Sequence, residues 1–405
     1  MLSDVNLHSL VIEPRKPPVP QYSEGSTMTE DVKIHTSGTD PMERRSVAVG
    51  TESDAEKPSA EGVIIDKQVI SVIESLLQQS ANSRRIIARL LPFHTSNLIQ
   101  LQPIRSYAVP MLSTETLSVL SLSCGSANRV TILIGESEHD SWCSHMGKVI
   151  ISQRNTCISI PLAVCPSSSA WSSNGVLAVG DVDGNIHVVI GDAVVSTSKF
   201  HSQCVSALSW ISQTQLVSCG IDGHLVVSQI KGTSLENVKS KRLTVADLPR
   251  NIRKSSTSSR SLSIVSMSMC GSEMCIATET GGIWVASLPD LHLKTVPTVP
   301  QAIQSVIYMA PFIAISGDDE STTLISCDGF FVDSFAIAAK HLCKPEDNLL
   351  VMADGTRTVI YDVAIRKIVL DEKRLGRAVN VSPQGDVVIL SEEELVTLRL
   401  EKGNT

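Results

Sequence analysis

Val176-Leu177-Ala178-Val179-Gly180-Asp181-Val182-Asp183-Gly184-Asn185-Ile186-His187-Val188-Val189-Ile190 sets two apolar runs, Val176 to Val179 and Ile186 to Ile190, on either side of an Asp-Gly pair. Short apolar runs bounded by turn residues read as strands. An Asp-Gly step between them reads as a β-hairpin, because a tight turn needs positive φ, which Gly and Asp tolerate best. The arrangement recurs: Asp222-Gly223, Gly281-Gly282, Asp319-Glu320, Asp354-Gly355 and Glu393-Glu394 follow at intervals of 39, 59, 38, 35 and 39 residues. The long interval holds the polar, basic segment Lys239 to Arg260, and removing about 20 residues restores the common spacing, as a surface-loop insertion does.

A period near 40 residues with several strands per unit is the signature of a β-propeller. His201, followed by Val205, Leu208, Ser209 and Trp210 and then by Ser218 and Asp222-Gly223, resembles a WD repeat. The resemblance implies a buried hydrogen-bond network between the His and the turn Asp, so His201, Trp210, Asp222 and Gly223 are expected as structural residues. Read instead as a catalytic dyad, the pair lacks a suitably placed nucleophile. Most other units lack the Trp or the His. Counting an atypical first unit from about Leu112 to Arg154, the expected fold is all-β: a seven-bladed WD-repeat propeller over 112–401, with a loop insertion at about 233–260.

Ahead of it, 1–61 is rich in Pro, Ser, Thr and charge, with Pro14, Pro17, Pro18 and Pro20 close together and no apolar period; this arm is expected to be disordered. Within it Ser46-Val47-Ala48-Val49-Gly50-Thr51-Glu52-Ser53 alternates apolar and small polar residues. Such a segment adds as an edge strand to another protein's sheet, or is plain linker. Over 62–92, Ile65, Val69, Val72, Ile73 and Leu76, then Ile86, Ile87, Leu90 and Leu91, form an apolar stripe that Pro92 stops. This predicts an amphipathic helix, weakened around Ala81-Asn82-Ser83, that packs on its own domain or enters a partner's groove. Residues 93–111 read as linker.

Bulk properties narrow the function classes. The 405 residues are 42% hydrophobic but only 3% aromatic, so Val, Ile, Leu and Ala must fill the core. A net charge of −8 offers no basic field for phosphates, which disfavours nucleic acid as a partner. The ten cysteines include no C-x-x-C pair and read as reduced core residues rather than a disulfide framework. His139, Asp140 and His145, with Glu136 and Glu138 nearby, bring imidazole and carboxylate into one stretch. A solvated loop is the simpler account, and neither metal nor cofactor is expected. No phosphate-cradling Gly-rich loop is present, Met1 to Glu13 lack the marks of a secretory signal, and the longest uncharged run, Asn155 to Gly180, is broken by Pro161 and Pro166.

The order of these parts resembles the dynein intermediate chains, most closely the shorter type of the second cytoplasmic dynein, the motor of retrograde intraflagellar transport. Gly135 to Trp142 followed by Lys148 to Ser152 is similar to that family's first blade, Leu216 to Leu225 to its third-blade hairpin, and Leu248-Pro249-Arg250 lies within the basic insertion. Ile276 to Gly282 resembles its fourth-blade turn, and Ala310-Pro311-Phe312 precedes the fifth. The likeness runs from about Arg45 onward. It implies a non-catalytic scaffold in cytoplasm, cytoskeleton and cilium, whose propeller holds a dynein heavy chain and whose arm bears light chains of roadblock, hub and Tctex types, opposite a second, different intermediate chain. On this resemblance Val69, Val72, Ile73, Leu76, Ile87 and Leu90 belong to the roadblock-type helix. Val49, Gly50, Thr51, Glu52 and Ser53 stand where the family has a hub light-chain motif around Thr-Gln-Thr. The first cytoplasmic dynein uses a charged N-terminal helix to reach dynactin, which Pro14 to Pro20 cannot sustain. Two rivals remain: a generic propeller hub in ubiquitin ligation or vesicle trafficking, and an enzyme with a site on a propeller face.

Overall fold

The computed structural model describes residues 99–112, 117–139, 145–153, 156–250, 252–253, 260–298, 301–317, 320–374 and 376–402, and, apart from these, Ser75, which is helical and exposed. The arm, the light-chain helix residues Val69, Val72, Ile73, Leu76, Ile87 and Leu90, and the motif at Val49 to Ser53 lie outside the described residues.

The strands group in fours. The first blade holds β2 (Ser118–Cys124), β3 (Arg129–Gly135), β4 (Gly147–Gln153) and β5 (Thr156–Leu162), and the second β6 (Pro166–Trp171), β7 (Leu177–Asp181), β8 (Asn185–Ile190) and β9 (Ala193–Lys199). In the third are β10 (Val205–Trp210), β11 (Gln215–Gly220), β12 (His224–Lys231) and β13 (Ser234–Arg242); in the fourth β14 (Ile264–Cys270), β15 (Glu273–Thr278), β16 (Ile283–Ser287) and β17 (His292–Val296). The fifth has β18 (Ile303–Met309), β19 (Phe312–Gly317), β20 (Thr322–Ser326) and β21 (Phe331–Phe335), and the sixth β22 (His341–Glu346), β23 (Leu349–Ala353), β24 (Arg357–Asp362) and β25 (Lys367–Lys373). Each is an antiparallel meander. The seventh differs: β26 (Ala378–Val381), β27 (Val387–Leu390) and β28 (Glu394–Lys402) are completed by β1 (Ile99–Ala108) as the outermost strand, with Ile99 opposite Lys402 and Ala108 opposite Glu394.

Middle strands are apolar on both faces because each blade is covered on both sides. Leu216 and Val217 illustrate the alternation: the first packs with Ala178, Ile186 and Val188 of the second blade, the second with Met274, Ile276 and Trp284 of the fourth. Seven apolar clusters of this kind, one per blade junction, close the ring among the described residues.

The innermost strands carry serines where a core would carry aliphatics. In β2, β6, β10, β14 and β18 a register shift near the strand's start re-aims the residues that follow. Ser167 and Ser168 Oγ then donate to the Val205 carbonyl at 2.7 and 2.9 Å, while Ser266 and Ser268 Oγ accept from the Val306 and Tyr308 N–H groups at 3.1 and 3.0 Å. These hydroxyls satisfy backbone groups on the free inner edge of the next blade, a need created by stopping each sheet at the channel.

Two boundaries differ from the sequence reading. Residues 93–111 read as linker, yet Ile99–Ala108 is a strand of the ring. Its pattern hides it, since only Ile99 and Leu101 are buried and Pro103 sits at a register shift, as an edge strand allows. The insertion at about 233–260 reads as a loop, yet Ser234–Arg242 is the outermost strand of the third blade with Leu235 alone buried. Further on, Leu248 and Ile252 are buried in the junction between the third and fourth blades. A strand solvated along nearly its whole length has the composition of a loop.

Candidate functional site

The turns between second and third strands share one face of the ring with the linkers that enter the next blade. Gly184 (φ 87°), Gly223 (φ 81°), Gly281 (φ 93°) and Gly355 (φ 102°) take the left-handed conformation the hairpins demand, and Glu320 (φ 53°) does so in the fifth blade. These turns are also fastened outward. The carbonyl of Gly184 accepts from His201 N at 3.2 Å, that of Gly223 from Leu243 N at 2.8 Å, that of Gly281 from Thr298 Oγ1 at 2.8 Å, and that of Gly355 from Gly376 N at 3.0 Å.

The third blade adds a side-chain network. His201, in the linker before β10, places Nδ1 3.1 Å from Asp222 Oδ1 and Nε2 2.8 Å from Ser218 Oγ. Asp222 further accepts from the N–H groups of Ser202 (2.8 Å) and His224 (3.1 Å). Burial pushes this carboxyl up, but the hydrogen bonds from His201, Ser202 and His224 outweigh it and hold it at about 2. Gly220 makes room: a Cβ there would stand 2.5 Å from His201 Nδ1 and 2.6 Å from Asp222 Oδ1.

Sequence alone offered no nucleophile beside this pair, and the structure supplies one. Ser218, His201 and Asp222 are wired in the order of a serine hydrolase triad. Access separates the two cases. Ser218 is 0% and His201 2% exposed, so no acyl carbon can reach the hydroxyl. The network is a buried staple between turn, linker and strand. Trp210 lies elsewhere, at the far end of β10, where its Nε1–H donates to the Ala170 carbonyl of the second blade at 3.0 Å.

A second such centre escapes the sequence pattern. Asp181, 1% exposed, accepts from Asn185 N (2.8 Å), Asp183 N (2.9 Å) and Asn185 Nδ2 (2.8 Å), with His187 Nε2 3.0 Å away. Burial again opposes ionisation, and the bonds from His187 and Asn185 bring the carboxyl below its ordinary value. The sequence carries a signal for it, since Asp181 ends an otherwise apolar run, but the Asp183-Gly184 pair two residues on is the stronger turn signature.

Two polar grooves open on this face. Asp222, His224, Arg242, Arg260 and Ser261 line one of 680 Å³, with the Arg242 guanidinium hydrogen-bonded to Ser261 Oγ. Another, of 820 Å³ between the sixth and seventh blades, is lined by Lys340, Asp354, Thr356 and Arg377 and by Glu392 to Glu394. In the first blade His139 and His145 belong to the connection between β3 and β4, and a ring nitrogen of each and Cys165 Sγ lie within 4.8 Å of one another. Asp140 lies outside the described residues. All nine described cysteines are free.

No family model and no curated protein matches the chain. Among solved structures it is similar to the WD40 repeats of RRP9, with 14% identity and a TM-score of 0.57 over 74% of this chain and 100% of that one. It is likewise similar to U3-55K, with 13% identity and a TM-score of 0.55 over 75% of this chain and 99% of that one. At such identities the likeness speaks for the fold, and the fold is a seven-bladed propeller of WD40 type.

Proposed function

We propose that the chain is a non-catalytic scaffold, the intermediate-chain subunit of a cytoplasmic dynein of the intraflagellar-transport kind. The propeller docks the heavy-chain tail, and the N-terminal segment carries dimeric light chains of roadblock, hub and Tctex types beside a second, different intermediate chain. Light-chain dimers then tie two such segments together, so that weak sites gain from bivalency. Cytoplasm, ciliary base and axoneme are the expected locations.

One observation carries this reading furthest: each blade junction is filled by residues of the blades and of the linkers between them, and β1 completes the seventh sheet. On this reading the stripe formed by Val69, Val72, Ile73, Leu76, Ile87 and Leu90, which lies outside the described residues, serves a partner's groove. The motif order from the first-blade stretch to Ala310-Pro311-Phe312 resembles that of the dynein intermediate chains and supports dynein as that partner.

Affinity purification of the full chain from ciliated cells is the test. Recovery of a dynein heavy chain with a roadblock-type light chain is expected; a ubiquitin ligase or a vesicle-coat subunit in their place sinks the proposal in favour of a general hub. Replacing Val69, Ile73 and Leu76 with Asp should release the roadblock-type chain and leave the melting temperature nearly unchanged. A large fall in melting temperature would instead make the stripe part of the core.

A further inference from the structure

Six blades join their second and third strands by a tight turn, but in the first the connection from β3 to β4 runs over 136–146. Both ends of it close on Cys165, the residue before β6 of the second blade. Glu136 N donates to Cys165 Sγ at 3.3 Å, and the thiol donates to the His145 carbonyl at 3.8 Å. The strand ends beside it are glycines that leave it space: a Cβ on Gly135 would stand 3.0 Å from the sulfur, and one on Gly147 2.8 Å from Cys165 Cα.

Two imidazoles point into the same place. Donor atoms of His139, His145 and Cys165 all lie within 4.8 Å of one another, and the two rings meet edge to face with centroids 6.0 Å apart. Independently, His139 Nε2 is fully buried and has no hydrogen-bond partner. A buried imidazole nitrogen left without a partner is costly, and a native structure keeps one for a reason.

We propose that His139, His145 and Cys165 form a zinc site that clips the first blade's long connection to the second blade. Imidazole and thiolate donors favour zinc over the hard cations, which take oxygen. Tetrahedral zinc, with bonds of about 2.0–2.1 Å to nitrogen and about 2.3 Å to sulfur, sets its donors roughly 3.4–3.6 Å apart. Cys165 is buried and His145 exposed, so the ion enters from the His145 side and water takes the fourth position. Binding forms one Zn–S and two Zn–N bonds; the thiol proton leaves to solvent, the sulfur keeps its electron pair, and nothing is oxidised. The thiol's bond to the His145 carbonyl is lost. The Glu136 N–H remains to stabilise the thiolate.

The test uses the full chain, stripped with a chelator, and cobalt(II) and zinc(II) ions as probes. One equivalent of cobalt should bind with a thiolate-to-cobalt charge-transfer band, and zinc should displace it. Cys165→Ser should abolish that band. His145→Gln, at an exposed position, should fold as the parent does by circular dichroism and bind zinc at least about 10-fold more weakly, since even outer-shell changes cost that much. If Cys165→Ser fails to fold, His145→Gln and His139→Gln carry the test. Absence of stoichiometric binding overturns the proposal, as does binding that both histidine variants leave unchanged, which would mean an adventitious ion only.

Discussion

The third and seventh blades hold their places in the ring by opposite means. In the third, four consecutive strands are locked by side chains close in sequence, with Asp222 accepting from His201, Ser202 and His224 and Ser218 completing the network. Among the described residues the seventh has no His–Asp network of that kind: its sheet is finished by β1, and the Ser106 hydroxyl that donates to Glu394 comes from 288 residues away. Local polar wiring therefore fixes one blade's turn, whereas distant backbone pairing fixes another's outer edge. The two should fail differently.

Deleting residues 99–108 should have the largest effect. It uncovers the full edge of β28, removes Ile99 and Leu101 from the junction with the sixth blade, and at about 1.5–3 kcal/mol per buried aliphatic, with the ladder's bonds added, costs at least about 5 kcal/mol. Loss of soluble protein, or a melting transition lower by more than about 10 °C, is expected. An unchanged melt would mean that the ring does not depend on β1.

Asp222→Ala should come next, at about 2–4 kcal/mol by denaturant titration, because it takes the acceptor from buried His201 and from the half-buried N–H groups of Ser202 and His224. Gly220→Ala drives a methyl group into the same place, at about 1–3 kcal/mol. Since both break one network, the double variant should cost clearly less than the sum. Strict additivity would show that the contacts are independent.

Acid should have the mildest effect. The folded Asp222 carboxyl sits at about 2, below its ordinary value of 3.8, so its contribution is complete above about pH 4 and is lost as pH falls through about 2. Asp181 shifts in the same direction. Melts of the parent and of Asp222→Asn should differ at neutral pH and converge between pH 4 and 2. A gap that stays constant would show that the charge of Asp222 contributes nothing.

What the sequence disclosed follows from the same contrast. Asp183-Gly184, Asp222-Gly223, Gly281-Gly282 and Asp354-Gly355 were legible because a hairpin of positive φ leaves a local trace in glycine. β1 left none, its partner being at the other end of the ring, and β13, wet along almost its whole length, looked like an insertion. Around the candidate site His201 and Asp222 could be paired in advance. Ser218 stood in the same pattern without a role and Asp181 was given none, since a polar residue in an apolar strand shows its purpose only when its partners are in place. Cys165 was likewise invisible beside His139 and His145, because contact across blades is not written in spacing.

The pairing of β1 with β28 also sets a clock. A ribosome adds about 5–20 residues per second, so the 288 residues between Ser106 and Glu394 take roughly 15–60 s to make. Throughout that time β1 waits as an open edge, and six blades assemble around a ring that cannot shut. Newborn chains should therefore be at greatest risk of joining a neighbour, or of needing a chaperone, just before the last strand emerges.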